Sequence, residues 1–153
     1  MTLTGGCQCG AIRFAIEGDP GRASICHCRM CQKAFGAFFG PLVSAPQMRW
    51  TRGAPKYFAS SNRARRGFCE NCGTPLSFEP DDGPVELAIG ALDNPAAAEP
   101  VIQHAMESRL PWLSELSALP TRTAAETADV AGYYASVRSR QHPDHDTRTP
   151  WPA

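Results

Sequence analysis

Cys7-Gln8-Cys9-Gly10 near the start of the chain and Cys69-Glu70-Asn71-Cys72-Gly73 much further along share an ending, Cys-Gly. A knuckle that holds a metal ion bends the backbone tightly. A glycine after its second cysteine can take a positive φ and help aim amide N–H groups at the thiolate sulfurs. Two such knuckles supply four thiolates, and four thiolates close a tetrahedral structural zinc site. Cys7, Cys9, Cys69 and Cys72 are therefore expected to be its ligands.

Between them lies Cys26-His27-Cys28-Arg29-Met30-Cys31, with no glycine directly after its last cysteine. Cys26, Cys28 and Cys31 offer three thiolates and no fourth, which leaves one tetrahedral position open, as in catalytic zinc sites. Water or an exogenous thiol could fill it. His27 is a fourth ligand in principle, but a residue between two ligands in Cys-x-Cys usually points away from the ion. A second partition also remains open, in which Cys26 and Cys28 pair with Cys69 and Cys72 and leave Cys7, Cys9 and Cys31. A plainer alternative is one structural zinc and three unliganded thiols.

The chain has seven cysteines, so complete disulfide pairing is impossible, and all of them fall between residues 7 and 72. Reduced cysteines bunched this closely are usually metal ligands. The start, Met1-Thr2-Leu3-Thr4-Gly5-Gly6, has neither a charged n-region nor an apolar h-region. The expectation is a cytoplasmic protein in a reducing compartment, where structural disulfides are rare.

At 153 residues and 42% apolar content the chain can bury one real core. Its 15 basic and 15 acidic residues balance, which argues against a nonspecific nucleic-acid binder. No apolar run is long enough to span a bilayer. An oligomer is compatible with the sequence.

Thirteen glycines and 14 prolines favour short elements and many turns. Strands are expected at residues 11–17, 38–44, 48–51, 56–59, 76–78, 85–91 and 101–106. Residues 29–35 suit a short helix. A longer helix is expected over about 123–139, where Thr123 and Glu126 have capping-box spacing. Val130, Tyr133 or Tyr134, and Val137 recur on one of its faces. Residues 141–153 are polar and Pro-rich and are expected to form a flexible tail after a single zinc-binding domain, 1–140.

The pattern Gly6-Cys7-Gln8-Cys9-Gly10, Cys26-His27-Cys28-x-x-Cys31 and Phe68-Cys69-x-x-Cys72-Gly73-Thr74-Pro75-Leu76 resembles the glutathione-dependent formaldehyde-activating enzyme family. Gly90-Ala91-Leu92-Asp93-Asn94-Pro95 and the pair His104 and Trp112 look like further landmarks. The resemblance spans about residues 3–120. It implies a mainly-β, Mss4-like β-tent with short helices, to which the C-terminal helix is added. It implies a structural zinc on Cys7, Cys9, Cys69 and Cys72 and a second, labile or catalytic zinc on Cys26, Cys28 and Cys31. The activity it implies is a carbon–sulfur lyase type that condenses glutathione, or a related thiol, with formaldehyde or another small aldehyde. The alternative is a non-catalytic zinc- and glutathione-binding module, since a fold and its metal do not determine function.

Glutathione carries two carboxylates, which Arg63, Arg65 and Arg66 could engage, although charge runs are usually solvated. His104 could shuttle a proton or be an ordinary histidine. Phe35, Phe38 and Phe39 could wall a pocket, but core packing is the commoner role of such residues. Trp112 reads as a packing anchor.

Overall fold

The computed structural model describes residues 2–148. It is mainly β, as expected, with ten strands in two sheets, two α-helices and several short 3₁₀ turns among those residues. The smaller sheet is antiparallel, in the order β1 (Thr2–Gly6), β2 (Arg13–Glu17), β5 (Met48–Arg52). The larger contains β3 (Ala23–Cys26), β4 (Gly40–Ser44), β6 (Lys56–Ser61), β7 (Ala64–Phe68), β8 (Pro75–Pro80), β9 (Glu86–Ala88) and β10 (Ile102–His104). Its order is β10-β3-β4-β9-β8-β7-β6, and only β10 runs parallel to its neighbour. No helix is long and apolar enough to cross a membrane.

Three strands lay outside the sequence expectation. In β1 the glycines look like loop residues, yet a Cβ on Gly5 would lie 2.3 Å from the Ala91 carbonyl oxygen and 2.4 Å from the Phe14 ring. Glycine is needed there because the cross-strand Phe14 ring and the turn bridged to β1 at Leu92 both crowd that position, not because the chain turns. Strand β3 is only four residues long and ends on Cys26. Strand β7, Ala-Arg-Arg-Gly-Phe, has no apolar alternation to announce it.

The core is centred on Phe14, Ile16, Val43, Leu76 and Leu87, all fully buried. Cys7 and Cys69 belong to the same apolar cluster. Beside it runs a buried ion pair. Arg13, only 2% exposed, donates from Nη1 to Asp93 Oδ1 at 2.8 Å and from Nη2 to Asp93 Oδ2. Thr4 Oγ1 donates to the same carboxylate. Asp93, in the Gly90–Pro95 landmark, thereby ties the second half of the chain to β1 and β2.

Helix α1 (Arg29–Phe35) occupies its expected residues and stops at Gly36 in the left-handed region. Helix α2 (Ala124–Ser136) starts at Thr123, where the expected capping box with Glu126 is complete. Its apolar stripe is not buried: Tyr133, Tyr134 and Val137 are all more than half exposed. The expectation of a free tail from 141 onward also needs correction for residues 141–148. His142 is 3% exposed and packs so closely on Gly10 that a Cβ there would lie 2.1 Å from its ring. Asp146 accepts from Arg13 Nε at 2.8 Å, and Arg52 donates to the Thr147 carbonyl. These polar residues carry no hydrophobic period, so only the contacts with Arg13 and Arg52 reveal the docking. Residues 149–153 lie outside the described part.

Burial pushes the Asp93 carboxyl up, but the Arg13 fork and the Thr4 hydroxyl outweigh it and hold the group below the ordinary carboxylate value. A depressed folded pKa means stability that is present above the unfolded value of about 3.9 and lost as pH falls through the folded value. Asp93→Ala should lower unfolding free energy by about 3–5 kcal/mol at neutral pH, since it strands a buried guanidinium. Denaturant titrations of the two metal-loaded proteins at neutral pH would check this. An equal stability of the two proteins at neutral pH would refute it.

Candidate metal centres

The first centre is built by two hairpins, one from each sheet. Cys7 follows β1 directly, and its loop is closed by Cys7 N–H to Ile12 C=O and Gly10 N–H to Cys7 C=O, both 3.0 Å. Cys69 follows β7, and its loop is closed by Gly73 N–H to Cys69 C=O at 2.8 Å and Cys69 N–H to Thr74 C=O at 2.9 Å. Gly10 and Gly73 have φ of 72° and 76°, the positive values expected after each second cysteine.

The four sulfurs of Cys7, Cys9, Cys69 and Cys72 all lie within 4.8 Å of one another. Cys7 to Cys9 is 3.6 Å and Cys9 to Cys69 is 3.8 Å. A tetrahedral ion with bonds of about 2.3 Å separates its sulfurs by about 3.8 Å, so the donor set fits a zinc-sized ion. A disulfide needs about 2.05 Å, and all seven cysteines are unpaired. The alternative partition, with Cys26 and Cys28 beside Cys69 and Cys72, is not what the fold builds.

Polar contacts prepare these sulfurs for the thiolate state. The Ile12 amide donates to Cys7 Sγ at 3.3 Å. The Thr74 hydroxyl lies 3.1 Å from Cys72 Sγ and accepts from the Gln8 amide at 3.0 Å. Burial pushes the Cys72 thiol up, but the Thr74 hydroxyl and neighbouring amides more than offset it and bring it to about 6. Burial dominates at Cys7 and pushes its thiol up to about 12.

The second centre sits where β3 meets α1. Cys26 ends the strand, Cys28 caps the helix, and Cys31 lies one turn in. Their sulfurs also fall within 4.8 Å of one another, and no other His, Cys, Asp or Glu among the described residues joins them. The Cys31 amide donates to Cys28 Sγ at 3.3 Å. At Cys28 the penalty of burial is outweighed by hydrogen bonds, that amide foremost, and the thiol sits below its ordinary value. Burial pushes Cys31 up to about 12, although Arg66 works in the opposite direction.

His27 does point away. Its Nε2 lies 2.8 Å from Gln103 Oε1. His104 is exposed on β10 as the register partner of Cys26, and its carbonyl accepts the His27 amide. The three arginines separate by strand period. Arg63 pairs with Asp81 and Asp82, and Arg65 pairs with Glu79, all at the surface end of their side chains. Arg66 is 8% exposed and donates from Nη2 to Cys31 Sγ at 3.3 Å and from Nε to Ser60 Oγ at 3.1 Å. Phe35 packs on the core, Phe38 meets Trp112 edge to face at 4.8 Å, and Phe39 meets the His27 ring at 6.0 Å.

Two residues escaped the sequence reading. Gln32, buried in α1, donates from Nε2 to the carbonyls of His27 and Ser108. Glu86 shares a cross-strand row with Phe58, Arg66 and Phe78. Burial raises its carboxyl, against the pull of His104 and Arg66. Neither carries a local signal, because both are defined by partners on other elements. Beside Cys31, between α1 and β6–β7, a groove of about 420 Å³ is lined by Arg29, Met30, Lys33, Phe58, Ser60 and Arg66.

The family model described as glutathione-dependent formaldehyde-activating enzyme matches residues 2–108. The chain is 36% identical over 91 residues to an uncharacterized lyase of Schizosaccharomyces pombe. That alignment takes in 57% of this chain and 64% of the relative's length, so the chain spans somewhat under two thirds of it. A Rhodobacter sphaeroides protein of known crystal structure superposes with a TM-score of 0.46 at 23% identity, over 65% of this chain and 98% of the other.

The two centres should respond differently to loss of a ligand. Cys69→Ser opens the four-cysteine cluster inside the core and should unfold the protein or lower its melting temperature steeply, since structural sites contribute folding energy directly. Cys28→Ser should fold and bind one metal ion fewer, as metal analysis of the purified variants would show. A stable, fully loaded Cys69→Ser protein would contradict the division. Because the Cys7 and Cys31 thiols are held at about 12 without an ion, protons compete for both sites. Metal affinity should therefore rise with pH over about pH 6–9 in a chelator competition. A flat profile would contradict thiolate ligation.

Proposed function

The chain belongs to the glutathione-dependent formaldehyde-activating enzyme family, and from that premise we propose that it is a zinc-dependent carbon–sulfur lyase acting on the adduct of a thiol with a small aldehyde. Glutathione and formaldehyde are the substrates that the family description suggests. The observation that carries the reading is the three-cysteine cluster, which has no fourth protein ligand among the described residues and is joined through Arg66 to a groove lined by Arg29 and Lys33. In the synthetic direction the substrate thiolate attacks the aldehyde carbon, a C–S bond forms, and the former carbonyl oxygen takes up a proton.

Zinc on Cys26, Cys28 and Cys31 would leave one position for a substrate thiol and lower its pKa towards neutrality. The protein's own contribution begins with Arg66. Its guanidinium donates to Cys31 Sγ and is held there by Ser60. It therefore supports the anionic form of a ligand that burial disfavours. Arg29 and Lys33 line the same groove and present cations to the glutathione carboxylates, while Met30 and Phe58 offer apolar walls. Arg63 and Arg65 are engaged with acidic partners and have no part in this. Cys7, Cys9, Cys69 and Cys72 hold the second, structural zinc. Seven reduced cysteines suit a cytoplasmic protein.

Zinc-loaded protein should accelerate the condensation of glutathione with formaldehyde above the spontaneous rate, followed by loss of free aldehyde. Cys28→Ser should abolish that acceleration. Replacing both Arg29 and Lys33 by Ala should raise the KM for glutathione about tenfold or more and leave kcat largely unchanged, because these contacts act on binding in the ground and transition states alike. Saturable glutathione binding with no acceleration would make the protein a carrier instead. No binding and no acceleration would sink both readings.

A further inference from the structure

A second cleft, of about 520 Å³, lies at the edge of the larger sheet, where β10 and β3 meet the Pro111–Ala118 segment. Successive strand residues point to opposite faces. Ile25 and its register partner Gln103 line this cleft, whereas Cys26 and its partner His104 take the opposite orientation. His27 follows directly and turns its ring away from the cysteines.

His27 Nδ1 and Arg109 Nε are buried with no hydrogen-bond partner among the described residues, and both residues line the cleft. His27 is completely buried. Buried polar groups are almost always satisfied, and leaving one unpaired is costly. Two on residues of one cleft point to a group that binds there. Arg109 has no ion pair among the described residues. Phe39, Ile102, Leu113 and Leu116 make the remaining wall mostly apolar.

The cleft is held in shape from both sides. Gln32 bonds the carbonyls of His27 and Ser108 together, and Trp112 packs edge to face on Phe38. Arg109, Leu113 and Leu116 lie past residue 108, where the family match ends, and the 3₁₀ segment Pro111–Ala118 carries the two leucines.

We infer that this cleft binds a small organic acid, with its carboxylate on Arg109 and His27 and its apolar body against Phe39, Ile102, Leu113 and Leu116. A guanidinium takes a carboxylate side-on through Nε–H and one Nη–H, which satisfies the unpaired Nε. Gln103 can serve His27 Nε2 with either end of its amide, leaving Nδ1 free to carry the proton that the second carboxylate oxygen accepts. The volume lies within the usual range for small-molecule sites, about 300–1,000 Å³. This site is separate from the thiol-binding groove and does not depend on the lyase reading.

The test is calorimetric titration of the zinc-loaded full chain with octanoate. One saturable site per chain is expected. Octan-1-ol, with the same body and no charge, should bind about tenfold or more weakly, and Arg109→Gln should weaken octanoate by a similar factor. Leu116→Glu, which sets a like charge in the wall, should abolish octanoate binding with melting temperature and zinc content unchanged. Saturating glutathione should leave octanoate affinity as it was. Absence of saturable binding, equal affinity for the alcohol, an unaffected Arg109→Gln, or displacement by glutathione would each overturn the proposal.

Discussion

Four sulfurs, two from each sheet's hairpin, come within 4.8 Å of one another where the two sheets of this protein meet. Cys7 and Cys9 lie in the β1–β2 hairpin of the smaller sheet, and Cys69 and Cys72 lie in the β7–β8 hairpin of the larger. An ion on that cluster would close the loop between Cys9 and Cys69, 60 residues apart, in one step, and metal bonds would then meet much of the entropy of bringing two sheets together. The apolar core forms around the same point, with Cys7 and Cys69 inside it. Gly5 leaves room for the Phe14 ring and the Ala91 carbonyl, and the Arg13–Asp93 pair fastens a second line of contact. The docked segment 141–148 adds His142 against Gly10, so residues beyond the family match reinforce the knuckle that founds the fold.

The three-cysteine centre depends on that frame but is built differently. Its ligands come from one short stretch at a strand-to-helix junction, so losing its ion costs little loop closure. What tunes it arrives from elsewhere. Arg66 reaches Cys31 from β7 because strand period turns it inward while Arg65 faces out. Neighbouring residues of β3 serve different sites, Ile25 lining the edge cleft and Cys26 belonging to the three-cysteine centre. One strand thus contributes to two chemically distinct sites within consecutive residues.

Some of this was legible because its signals are local. The capping box at Thr123 and Glu126 and the glycine stop of α1 use residues within one turn of each other. The positive φ of Gly10 and Gly73 follows from the knuckle itself. Strands β1, β3 and β7 were not legible, since glycine pairs, a four-residue length and adjacent arginines carry no period-2 apolar pattern. Their existence rests on cross-strand pairing, β1 with β2, β3 with β4 and β10, and β7 with β6 and β8, and not on any pattern of their own. The exposed stripe of α2 errs in the other direction, for amphipathic spacing shows that a helix can bury a face and not that a surface is there to meet it.

The spacing and glycine endings of the cysteines, by themselves, marked all seven as candidate metal ligands and favoured a division into four and three. Thiolate chemistry and the tight geometry of a knuckle leave few other uses for that pattern. Only the tertiary structure decided which hairpins meet, that Arg66 and not its neighbours serves Cys31, that His27 turns to a separate cleft, and that residues 141–148 pack down. Those outcomes depend on register, sheet face and burial, which exist only once distant segments are paired.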